Sequence, residues 1–266
     1  MVALTIAASI YFGGTVKPGL ADPRHSLAIS PMPSPSVSAF TPGAVSVAGQ
    51  GFLSWAILDR STGRIVSASN AGSTSDTSSM IKAWLAADYL RLTFAGGKQP
   101  TNSRLIALRS MIKSNDNPPA DALFVELGGA ASIRRLTALC GLTDSRPASQ
   151  WNRTVTSARD AVRMGLCLAD GRAGGPRWTA WVLAQMRAVD GPGNFGVRLA
   201  LTPAVRPTVA IGNGWALRDE DASWHISCLA IGRDWVLSTL ARYPQALGLN
   251  YGRNQCRTVG GQLVSG

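Results

Sequence analysis

Only four lysines occur in the 266 residues (Lys17, Lys82, Lys98 and Lys113), so a net charge of +11 rests mostly on arginine spread along the chain. No basic stripe interleaved with aromatics and no recognition motif accompanies that charge, which excludes nucleic acid as the expected partner. What the charge does suit is a general attraction to anionic envelope polymers. Histidine is scarcer still, with His25 and His225 the whole set. His225 and Cys228 lie three apart on a strand-like segment, where side chains at that spacing point to opposite faces. No second pair completes a metal site. Neither a metal nor another cofactor is expected.

Long hydrophobic runs are also missing. The apolar stretch from Met1 to Val16 is too short for a transmembrane helix. It has the length of a signal-peptide core, and Gly19-Leu20-Ala21 resembles a small-residue cleavage site. The usual basic region ahead of it is absent, so the segment reads either as a signal peptide that starts upstream or as an uncleaved anchor. No cysteine precedes Cys140, and the expectation is export without a lipoprotein anchor. Residues 31–44, rich in proline and serine, read as a tether. Residues 1–50 are thus assigned to signal peptide or anchor plus tether, and residues 51–266 to one functional domain. Its location is expected to be secreted or envelope-associated, with membrane contact only through the N-terminal segment.

Cysteine is limited to four residues, an even number that suits an oxidising compartment. Cys140 and Cys167 fall in the helical middle of the chain, Cys228 and Cys256 in its C-terminal part. Of three possible pairings, pairing within each set is favoured, with free buried thiols as the alternative.

The 45% hydrophobic content is enough for one sizeable core, or for two sub-domains sharing a cleft. Residues 51–59 and 64–68 read as two strands joined by a turn at Ser61-Thr62-Gly63. A small-residue loop, Ala71 to Thr77, leads to a helix running from Ser79 to about Phe94. Apolar spacing and Gly/Pro punctuation predict further helices over 103–112, 118–127, 131–140, 157–169, 176–188 and 194–200. Strands return at 207–215, 223–231 and 234–242, and a closing helix begins near Leu249. The expectation is an α+β fold: a five-stranded, mostly antiparallel sheet flanked by helices, with an all-α sub-domain inserted after the second strand. Trp178 and Trp181, three apart on a helix, read as core, and Asp219-Glu220-Asp221 as a solvated hairpin turn.

Ser79-Met80-Ile81-Lys82 carries the chemistry. Residues three apart on a helix lie about one turn from each other on the same face. A serine hydroxyl needs an adjacent base to attack at neutral pH, and a lysine in a dry pocket supplies one when burial lowers its pKa. Free N–H groups at a helix start also favour a developing oxyanion.

An S-x-x-K motif opening the first long helix, in this order of strands and helices, resembles the serine β-lactamase and penicillin-binding-protein superfamily, nearest to class A. The resemblance covers residues 51–266. Its second motif, S-D-N, has Asn115-Asp116-Asn117 in its place, with Asn115 at the serine position and the final asparagine retained. Its third, K-T-G, has Gly212-Asn213-Gly214, with Gly212 at the lysine position and Asn213 at the threonine or serine position. The resemblance implies Ser79 as nucleophile, Lys82 as its base and Asn117 as their orienting group. The oxyanion would be held by the N–H groups of Ser79 and Trp215. Asn115, Gly212, Asn213 and Gly214 are implied to line the substrate. Asn115 cannot relay a proton as a serine does, and Gly212 cannot anchor a carboxylate. The hydrolytic members use a glutamate to activate the deacylating water. Here the only glutamates are Glu126 and Glu220, outside the matching window of about Leu142 to Thr156, which holds Asp144 alone. Two readings stay open: an exported serine hydrolase acylated at Ser79 by a β-lactam or peptidoglycan-related amide, with weak or no turnover, or a degenerate relative acting as an envelope binding or scaffolding module.

Overall fold

The computed structural model describes residues 45–264. The signal peptide or anchor and the tether up to residue 44 lie outside the described residues. The chain runs through β1 (Phe52–Asp59), β2 (Ile65–Ser67), β3 (Thr74–Asp76) and a short 3-10 turn (Ser78–Ile81) into α1 (Lys82–Ala95). Then follow α2 (Asn102–Lys113), α3 (Pro118–Glu126), α4 (Ala130–Cys140), β4 (Val155–Ser157), α5 (Ala158–Ala169), α6 (Gly175–Arg187) and α7 (Val197–Ala200). β5 (Ala210–Arg218), β6 (Ser223–Ile231), β7 (Trp235–Pro244) and α8 (Leu249–Leu263) complete it.

The main sheet has five strands in the order β2-β1-β7-β6-β5, and every pairing is antiparallel. Helices cover both of its faces. On one face α5 approaches so closely that a Cβ added at Gly165 would lie 2.5 Å from Val236 Cγ1 and 3.0 Å from Leu229 Cδ1. On the other, a Cβ at Gly252 of α8 would lie 2.5 Å from Ile226 Cγ1. Both faces are therefore apolar, and β6 and β7 read as nearly continuous buried runs rather than alternating ones. α1, wholly buried along most of its length, is the axle of the helical part and packs on α2, α3, α4, α5 and α6.

The two favoured disulfides are present: Cys140–Cys167 joins α4 to α5, and Cys228–Cys256 joins β6 to α8. Residues 45–50, assigned from sequence to the tether side of the boundary, lie along the last helix. There Ser46 N–H donates to Gln262 Oε1 at 2.9 Å, and Gln262 Nε2 donates back to Ser46 O at 2.9 Å.

Four local expectations are corrected. Ser79 is not in the α-helix: the 3-10 turn holds residues 78–81, and α1 starts at Lys82. The cause is the backbone at Ser78, whose φ of 41° no α-helix accommodates. The loop over 71–77 contains β3, which pairs with β4 in a separate two-stranded sheet. Strands of three residues are too short to show a period. The strand expected from 207 begins at Ala210, because Pro207 sits in a 3-10 turn. The helix expected over 194–200 is reduced to one turn, 197–200.

Candidate active site

Lys82 is the centre of the site. It lies at the first position of α1, is 2% exposed, and its Nζ donates three hydrogen bonds to amide oxygens. These go to Asn115 O at 2.6 Å, Asn115 Oδ1 at 2.9 Å and Asn117 Oδ1 at 2.8 Å. The acceptors come from the turn between α2 and α3. Asn115 reaches them with a φ of 63°, a left-handed conformation that asparagine tolerates better than most residues. Pro118 and Pro119 open α3 immediately afterwards and stop the turn from extending α2. The Trp151 ring covers the ammonium at 5.1 Å. Burial pulls the Lys82 pKa down to about 7, against the opposing pull of Asp116 and Asp121. Lys82 thus exchanges its proton near neutrality, which suits a base.

Ser79 lines the same cavity as Lys82, together with Asn115, Gly212 and Asn213. Among the described residues its Oγ has no hydrogen-bond partner. The 3-10 turn carrying it is pressed against β5. A Cβ added at Gly214 would lie 2.7 Å from Ser78 Cβ and 2.9 Å from Met80 N, and closer still to Ser79 N. Only a glycine lets the strand come this near, so Gly214 serves the packing of the Ser79 turn on β5. Gly212 faces the same way with more room, its hypothetical Cβ lying 3.6 Å from Met80 O and from Met186 Cε. The cavity beside it, walled by Met111, Ile112 and Val189, encloses only about 10 Å³, room for one water.

Asn213 points to the other face of β5. It is 6% exposed, and its Nδ2 donates to Gly193 O at 3.0 Å and Phe195 O at 2.9 Å, pinning the loop before α7. Trp215 also lies on that face, edge-on to Phe195 at 5.6 Å with Arg253 above both rings. Of the residues singled out in the sequence, Ser79, Lys82, Asn115, Asn117, Gly212 and Gly214 meet around one point. The side chains of Asn213 and Trp215 do not join them.

Three features escaped sequence reasoning. Trp151 roofs Lys82 and is held by its Nε1 donating to Asp121 Oδ1 at 2.6 Å. No local pattern announces it, since it arrives on the irregular segment from 142 to 154. That segment is tied down by buried Asp160, which accepts from Thr143 N–H, Asp144 N–H and Ser145 Oγ at 3.2, 2.7 and 2.9 Å. Asp144, the lone carboxylate of the segment, accepts instead from Ser157 Oγ at 2.7 Å and Arg159 Nη2 at 3.0 Å. Next to the trio Asn117, Asp121 and Trp151 opens a second pocket of about 350 Å³, bordered by Phe124, Val125 and Asn152. The third feature is a charged cluster under Ser78. There Asp76 Oδ1 accepts from Ser78 N at 3.1 Å and Ser78 Oγ at 2.8 Å, and Asp76 Oδ2 meets His225 and Arg218. An aspartate two residues before a serine is an Asx-turn signal and was legible.

Solved structures with this fold are numerous. A β-lactamase from Burkholderia vietnamiensis superposes with a TM-score of 0.67 over 80% of this chain and 90% of its own, at 17% identity. A class A β-lactamase from Mycobacterium abscessus does so with a TM-score of 0.61 over 80% and 92%, at 13% identity. The fold is that of the class A serine β-lactamases. At such identities the likeness concerns the β-lactamase fold alone. No protein-family profile matches the chain. Among curated proteins, "Putative lipoprotein LppW" of Mycobacterium tuberculosis and of Mycobacterium bovis is 32% identical over 189 residues. The match takes in 68% of this chain and spans 59% of the length of those relatives. Against the β-lactamase fold, the five antiparallel strands and the inserted helices are as the sequence implied.

Proposed function

We propose that the chain is an exported, envelope-facing serine acyl-transfer enzyme that is acylated at Ser79 and releases its acyl group slowly. One observation carries this reading: a buried lysine with a pKa of about 7 shares a cavity with a serine hydroxyl that has no partner among the described residues. Ser79 Oγ attacks the carbonyl carbon of an amide, and its proton passes to Lys82 Nζ as the C–O bond forms. The C–N bond then breaks, and the leaving nitrogen takes up a proton from Lys82. Asn115 and Asn117 orient Lys82 throughout, and the N–H groups of Ser79 and Trp215 receive the oxyanion. The envelope location is supported by the two disulfides and by the name of the curated relatives, "Putative lipoprotein".

The substrate is a small acylated amide or a peptidoglycan-type peptide that enters by the 350 Å³ pocket beside Asn117. No lysine or arginine lines that pocket, Gly212 places no cation beside Ser79, and the one cation of β5, Arg218, is engaged by Asp76 and Asn152 O. A substrate carboxylate therefore finds no anchor, and carboxylate-bearing β-lactams are expected to bind weakly. Asp144 is engaged by Arg159 and Ser157 away from Lys82, so the acyl-enzyme lacks a base for water there.

A specific observation also favours the second reading, a binding module without turnover. All three Lys82 hydrogen bonds go to amide oxygens, and the cavity it shares with Ser79 has room for no more than about one water. Incubating the purified chain with a fluorescent penicillin and reading intact mass decides between the two, with Ser79→Ala as control. A persistent adduct on the unmodified chain alone supports the enzyme. Equal labelling of the variant sinks the site assignment, and no adduct with any acyl probe leaves the binding module.

A further inference from the structure

We propose that Asp76 is the positioning residue of the Ser79 turn and that the charge state of His225 sets how firmly it holds that turn. This rests on Ser79 as the reactive group, as argued above, but its geometry stands apart from that reading.

Ser78, immediately before Ser79, has a φ of 41°, a strained conformation for a residue with a side chain. One carboxylate oxygen holds it there. Asp76 Oδ1 accepts both the backbone N–H of Ser78 at 3.1 Å and its hydroxyl at 2.8 Å. The carbonyl of Asp76 is fixed in turn by Ser227 Oγ of β6 at 2.7 Å. Its second oxygen, Oδ2, carries the rest of the cluster: His225 Nδ1 of β6 at 2.8 Å and Arg218 Nε of β5 at 3.0 Å. Arg218 Nη2 continues to Asn152 O at 3.0 Å, next to the Trp151 roof of Lys82.

His225 lies between two carboxylates, because its Nε2 meets Asp221 Oδ2 of the β5–β6 turn at 2.8 Å. With an acid on each ring nitrogen, only the imidazolium can donate to both at once. The other charged groups around it are Arg218, the Arg153–Glu220 ion pair over the turn, and Arg242, its cross-strand neighbour on β7. Burial lowers the His225 pKa, and the hydrogen bonds to Asp76 and Asp221 outweigh it, so the net shift is upward from 6.5. The imidazolium is present below that raised value. As pH rises through it, His225 loses the proton shared with one carboxylate. Asp76 then loses the positive charge at its flank, its Oδ2 keeping Arg218 and at most a neutral imidazole N–H, and its grip on the strained Ser78 loosens.

The test is a pair of NMR titrations on the intact chain, one of the His225 ring and one of the Ser78 and Ser79 amides. The expected result is a single midpoint above 6.5 for all three. Asp221→Asn removes one of the two carboxylates without touching Asp76 or Ser78, and both titrations are expected to move down together. A His225 midpoint that moves while the Ser78 and Ser79 amides stay put overturns the proposal. Amides that show no titration in the unmodified chain overturn it too, so the proposal is decided even where the variant fails to fold. Labelling by a fluorescent penicillin over the same pH range separates the two readings. Coupled titrations without any adduct retain the positioning role and remove only the penicillin as an acylating substrate of Ser79.

Discussion

A lysine buried among amide oxygens beside an unpartnered serine is unusual because nothing near it is an ion pair. Asp116 and Asp121 act on Lys82 only at a distance, and burial dominates. Any acylation that uses Lys82 as base should therefore rise with pH through about 7, as the neutral amine becomes populated. Labelling rates from pH 5 to 9 check this, and a flat profile would remove Lys82 from the role of base. Ser79→Ala is expected to abolish labelling with almost no loss of stability. A serine that caps a helix contributes about 1 kcal/mol, but the cap position here belongs to Thr77, and Ser79 Oγ has no hydrogen-bond partner among the described residues. Urea midpoints of the two proteins give the comparison.

The β5 strand decides how close the Ser79 turn can sit, and its glycines Gly212 and Gly214 differ sharply. At Gly214 a methyl group would collide with the backbone of Ser79 and Met80, which cannot retreat without moving the turn. Gly214→Ala should cost about 1–3 kcal/mol, as overpacking does, and lose labelling. At Gly212 the same methyl would make ordinary contacts at 3.6 Å. Gly212→Ala should be neutral, or gain up to about 1 kcal/mol by restricting the unfolded chain. Denaturation midpoints for the pair test the claim, and equal destabilisation would show that β5 is not pressed on the turn as described. The strand also explains why a motif-by-motif transfer falls short. Asn213 stands at a substrate-contacting position of the resembled motif, yet its amide nitrogen is spent on the carbonyls of Gly193 and Phe195.

At the scale of the molecule, two disulfides tie the outer helices to the core at sequence separations of 27 and 28 residues. Each closes a loop whose entropy is worth about 3–4 kcal/mol in the chain-entropy account. Reduction should lower the melting temperature substantially. Replacing Cys228 and Cys256 by serine should loosen the α8 side while α4–α5 stays protected, a contrast that hydrogen exchange reads directly. The charged cluster linking β3, β5 and β6 adds a pH dependence. The Asp76 carboxyl, despite burial, is held below 3.8 by His225 and Arg218, so its contribution is complete above 3.8 and lost as pH falls through the lowered value. The His225 contribution is complete below 6.5 and lost as pH rises through its raised value. Stability from this cluster should thus be greatest between those limits. A urea midpoint that is unchanged from mild acid into the alkaline range would contradict it.

Much of this was determined by the sequence itself. Long helices and strands announce themselves through apolar spacing over many residues, so α2 through α6, β1, β6 and β7 stand within a few residues of where the pattern puts them. The disulfide partners present are the ones favoured among three pairings by position along the chain; the S-x-x-K pair stood out by its spacing, and the asparagine turn through the resemblance to the β-lactamase superfamily. Tertiary structure alone decided the rest. Trp151 reaches Lys82 from about seventy residues away, on a segment held by a buried carboxylate rather than by its own periodicity. The pairing of β3 with β4 and the meeting of Asp76, Arg218, His225 and Asp221 join parts of the chain up to 149 residues apart. A 3-10 turn replaced the first helical turn at Ser79 because a strand distant in sequence presses on it and a carboxylate holds Ser78 in a left-handed conformation. Local preference is a sum over neighbours, whereas these features depend on which distant atoms share a volume, and only the folded chain brings those atoms together.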